Sequence, residues 1–129
     1  MKIKTSELQG TALDWAVAKC DGRTIQRDPM EFGITTSEGG YWVWETQPFY
    51  YAKIGRSYTP STDWAQGGPI IEREGVQLAR VGDVWEAWVD ADGVFCQGPT
   101  PLTAAMRCFV SSRLGDEVEI PEELQGETK

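Results

Sequence analysis

Residues 57–74 read SYTPSTDWAQGGPIIERE, and how they divide sets how many strands the middle of the chain holds. Pro60 ends a preceding strand. Ser61 or Thr62 caps a single helical turn through Gln66, and Gly67-Gly68 exits it. Pro69 then opens an edge strand, PIIERE (69–74), with Trp64 as a core plug. The same stretch also reads as a ligand rim. Ser61, Thr62 and Asp63 offer polar groups, and Trp64 or Tyr58 offers a ring for stacking. Gly67 and Gly68 let a ligand approach the backbone. The two readings are compatible if the turn is structural and its rim binds.

Downstream, Gly75 joins this strand to VQLARV (76–81) as a hairpin or bulge. Gly82-Asp83 turns the chain into VWEAWVD (84–90), and Asp92-Gly93 turns it into VFCQ (94–97). The result is an antiparallel meander. Upstream, YWVWE (41–45) and FYYAKI (49–54) are strand-like, and residues 21–40 read as loop. Within YWVWE, Tyr41 and Val43 share one face, and Trp42 and Trp44 the other.

A helix flanks the strands at each end. Ser6 and Gln9 have capping-box spacing for a well-buried helix from about residue 6 to 20, which Gly22 stops. Thr100 caps the second helix, with Pro101 at its first position. Leu102, Ala105, Met106, Phe109 and Val110 form its apolar stripe, and Gly115 closes it. Thr103, Arg107 and Ser111 run along its polar edge. The fold class is α+β: one sheet of four to five antiparallel strands packed with an N-terminal and a C-terminal helix. Residues 1–129 form one domain, whose acidic tail, 116–129, docks at Val118 and Ile120 and then frays.

Composition narrows the function. The net charge is −8, of which the tail carries −5, so no basic surface tracks a nucleic-acid polymer. The three cysteines suggest neither a disulfide framework nor a metal knuckle. They fit a reduced compartment. The N-terminus shows no secretory signal, and no apolar run approaches the roughly 18 residues of a membrane span. With no histidine, the commonest general base and metal ligand is missing. No metal or cofactor is expected. Of the six tryptophans, Trp85 alternates with Ala87 and Val89 as core. Trp88 shares its face with Glu86 and Asp90, which suits an interface or a pocket.

ALDWAVAKCDG (12–22), YTPSTDWAQGGPIIERE (58–74) and GPTPLTAAMRCFVSSRLGDEVEIPEEL (98–124) together resemble the NinX-type proteins of tailed phages, a family without an assigned activity. Thr59 stands where serine is expected, and Thr103 where an aliphatic residue is expected. The resemblance implies a small accessory protein in the host bacterial cytoplasm. By analogy of setting, such proteins counter host defence by sequestering nucleotide-derived immune signals, of the cyclic ADP-ribose or cyclic-dinucleotide class, at oligomer interfaces. The resulting expectation is a non-enzymatic homo-oligomer that binds a small nucleotide-like ligand. Its site would draw on Tyr58, Ser61, Thr62, Asp63, Trp64, Gln66, Gly67 and Gly68, with Arg107 as a phosphate partner. One alternative is an inhibitor that docks its acidic tail on a nucleic-acid enzyme. The other is a signal-degrading hydrolase using Asp63 or Glu72.

Overall fold

The computed structural model describes residues 2–27, 41–46, 49–89, 93–121 and 124. The described part is α+β, with three helices and three small antiparallel sheets rather than one sheet of four to five strands. Strand β1 (Lys2–Lys4) pairs with β8 (Glu117–Glu119), which ties the two ends of the described chain together. Strands β2 (Ile25–Arg27), β3 (Tyr41–Thr46) and β4 (Phe49–Lys53) form the second sheet. Strands β5 (Gln77–Val81), β6 (Val84–Val89) and β7 (Val94–Gly98) form the expected meander.

The chief correction concerns residues 64–74. They are not a helical turn followed by a strand but one helix, α2 (Trp64–Glu74). The N-cap is Asp63, neither Ser61 nor Thr62: its Oδ1 accepts the Ala65 N–H at 2.9 Å. Gln66, three residues on, has the capping-box position and donates from Nε2 to Asp63 Oδ2 at 3.1 Å. Gly67, Ile70 and Ile71 then face inward at helical spacing. Gly67 ends nothing. It is glycine because a Cβ there would collide with the Pro60 carbonyl oxygen and with Leu102. Pro69 lies inside the helix with its ring exposed. Gly75 is not a hairpin turn but the left-handed C-cap, at φ 69°, and the Val76 N–H closes on Ile71 O at 3.1 Å.

Helix α1 (Gly10–Cys20) starts later than expected. A 3-10 turn, Thr5–Glu7, precedes it, and its N-cap is Gln9, with no side-chain cap. The Ser6–Gln9 capping box is therefore not formed as expected. Thr11 through Ala18 are all buried. Helix α3 (Pro101–Leu114) has the expected span and caps, with Thr100 Oγ1 accepting the Thr103 N–H at 3.1 Å. It is not one-sided, however. Leu102 through Val110 are buried without a break, because α1, α2 and the β5–β6–β7 sheet surround it. The expected polar edge is thus interior, and Thr103 and Arg107 are buried.

In β3, Val43 faces the core and Trp42 and Trp44 are half-buried. Val118 and Ile120 dock as expected. Strand β2 lies in a stretch read as loop. The Asp28-Pro29 and Gly39-Gly40 signals, Asp90, Asp92 and the tail acids Glu122, Glu123 and Glu127 fall outside the described residues. Among the described residues, no helix is long and apolar enough to cross a membrane.

Candidate functional site

The expected site residues do not form one pocket. The chain from Tyr58 to Gly68 is a structural knot with a cavity on each of two sides, and Arg107 lines a third cavity.

Gln66 ties the knot. Its Oε1 accepts the Thr59 N–H at 2.8 Å and its Nε2 donates to Ser57 O at 2.8 Å. Asp63 is occupied with capping. Ser61 is buried, and its N–H donates to Asp14 Oδ1 at 2.9 Å. Asp14 is itself buried in α1. Loss of water pushes its pKa up to about 7, against the lowering effect of the Ser61 backbone N–H and side chain. The Ser61 hydroxyl stands near enough to exert that effect, yet makes no hydrogen bond of good geometry.

Tyr58 and Gln66 line a cleft of about 250 Å³ with Arg23 and Arg73. The Arg23 guanidinium lies 5.7 Å from the centre of the buried Tyr58 ring. The charges here are already matched: Arg73 bonds Asp21 at 2.8 Å and Glu74 at 2.8 Å, and Arg113 bonds Glu74 at 2.7 Å. On the other side, Ser61, Thr62 and Trp64 line a groove of about 220 Å³ with the start of α3. Trp64 is 54% exposed, so it is no core plug. Gly68 is half-buried with open space beside it. Glu72 is exposed on a helix rather than on a strand face.

The larger opportunity lies at Arg107. This side chain is only 9% exposed. Its Nε donates to Leu8 O at 2.7 Å and its Nη1 to Gln97 O at 2.9 Å. These bonds explain its position: it clips the lead-in to α1 onto strand β7. They do not neutralise it. No carboxylate pairs with Arg107 among the described residues. Burial pulls its pKa below the ordinary guanidinium value, but an arginine keeps its proton at physiological pH. A buried charge without a counter-charge is costly.

Arg107 lines a cavity of about 610 Å³, with Ser6, Asp83 and the β7 residues Phe95 to Gly98. That volume lies within the range of about 300–1,000 Å³ usual for small-molecule sites. Phe95 is 56% exposed on its wall and offers an aromatic face. Cys96 also lines it, but burial raises its thiol pKa, so the thiol is not an activated nucleophile. Sequence reasoning missed Phe95, Ser6 and Gln97, because nothing local shows that the lead-in to α1 lies against the end of β7.

The family model described as Bacteriophage P22, NinX matches residues 4–113. No curated protein matches the chain. The match runs from the end of β1 through the last turn of α3, and so covers most of the described fold. The chain belongs to the bacteriophage P22 NinX family.

Proposed function

We propose that this phage protein is a non-catalytic binder. It sequesters a small anionic, ring-bearing ligand of nucleotide type in the Arg107 cavity and thereby counters a host defence signal. The ligand class is that of cyclic ADP-ribose or the cyclic dinucleotides, and the binder works as a homo-oligomer in the host cytoplasm. One observation carries the reading: a buried arginine, Arg107, with no carboxylate partner among the described residues, lines a cavity of about 610 Å³ beside the exposed ring of Phe95. An anionic group on Arg107 supplies the missing counter-charge, and a ring on Phe95 supplies apolar contact.

The hydrolase alternative has less support. Asp63 is engaged as a helix cap, and Glu72 lines none of the cavities described above. Native mass spectrometry of protein purified from infected, defence-active cells tests the proposal. The expected result is a small nucleotide-like adduct that is released chemically intact on denaturation. Release of a cleaved product, or protein free of any adduct, overturns it.

A further inference from the structure

The Arg107 cavity does not end at Cys96. An adjoining cavity of about 470 Å³ shares Ser6, Phe95 and Cys96 with it, so the two form one trough along the edge of β7. The far part is lined by Lys4, Asp116 and Glu117. Cys96 lies between the ends, within electrostatic reach of both Arg107 and Asp116. The trough therefore has direction. A buried cation marks one end, and two exposed acids set against one exposed lysine mark the other. Asp83 adds a further acid to the wall of the Arg107 cavity.

This arrangement discriminates among nucleotides. Counting Arg107 and Lys4 against Asp83, Asp116 and Glu117, the trough carries a net negative charge. A polyphosphate would bring several negative charges to two cations, one buried and one exposed, and three acids. A ligand with a single anionic group and a positive charge some distance away matches both ends. Building on the reading of this cavity as a nucleotide site, we propose that its ligand is amphoteric, which narrows the class named above to members with a positively charged base: one phosphate-bearing group on Arg107, a ring against Phe95, and a positive charge toward Asp116 and Glu117.

Nicotinamide mononucleotide and its reduced form are a matched pair of probes. They share one phosphate and one ribose and differ in ring charge, cationic in the first and neutral in the second. In calorimetric titrations at low salt, the cationic form should bind about three- to tenfold more tightly, the scale of one or two partly screened ion pairs. The preference should shrink at high salt. The doubly substituted Asp116→Asn, Glu117→Gln protein should lose the preference while still binding the neutral form. Both acids are exposed, so this variant should fold. Equal affinity for the two probes overturns the amphoteric assignment and leaves a simple anion site standing. Failure of both probes and of adenosine monophosphate to bind removes the nucleotide reading itself.

Discussion

Asp14 is the residue whose chemistry the sequence hid best. It sits in an apolar helix face, where its role is to hold the Ser61 N–H. Its pKa in the folded chain is about 7, well above the ordinary 3.8. The folded state therefore binds this proton more tightly than the unfolded state. Stability from this group is full below about pH 4 and is lost as pH rises through about 7. Asp14→Asn keeps an acceptor for Ser61 and removes the charge. It should flatten the decline between pH 5 and 8 and stabilise the protein at pH 8 by on the order of 3 kcal/mol. Urea midpoints at both pH values check this, and an unchanged pH profile contradicts it. At Gln66, whose amide serves Thr59, Ser57 and Asp63, truncation to alanine should cost about 1–3 kcal/mol. Asp63→Asn keeps a good cap and should stay within about 1 kcal/mol. Trp64→Ala, at an exposed position, should change stability by no more than about 0.5 kcal/mol. Thermal melts of the three variants order these effects, and a large loss at Trp64 contradicts the account.

Among the elements, α3 and α2 show what was legible. Helix α3 announced itself through Thr100-Pro101, an apolar stripe and Gly115, all local signals. Its central position was not legible, because burial on every side depends on where three other elements pack. Phe109→Ala should cost about 3–5 kcal/mol, read from the urea midpoint, because Phe109 is fully buried beneath the Arg73 and Arg113 guanidiniums. An unchanged midpoint would place this face of the helix in water. Helix α2 is hidden in the sequence because two glycines and a proline look like punctuation. Gly67 is instead a contact residue, needed where α2 crosses Pro60 and meets Leu102. Gly67→Ala should therefore destabilise by about 1–3 kcal/mol, although alanine favours helix. A rise in melting temperature for this variant contradicts the close approach. The cap that starts this helix, Asp63 with Gln66 three residues on, is a local feature, whereas the contact that requires Gly67 is not.

For the whole molecule, local strand signals were sufficient for the β5–β6–β7 meander and for the pairing partners β3 and β4, but not for their division into separate sheets. That division depends on helices inserted between them, and on β1 meeting β8 across nearly the full chain. The same long-range closure creates the Arg107 cavity, by bringing the lead-in to α1 against the edge of β7. For this reason the neighbours of Arg107 in the cavity are not legible from local sequence. The proposed ligand sits there and not on the Tyr58–Gly68 knot. Backbone amide NMR during titration with adenosine monophosphate tests it most directly. Saturable shifts are expected at Ser6 and at Phe95 to Gly98, with Trp64, Ala65 and Gln66 unmoved. Shifts confined to Trp64, Ala65 and Gln66, with Phe95 to Gly98 silent, would contradict it.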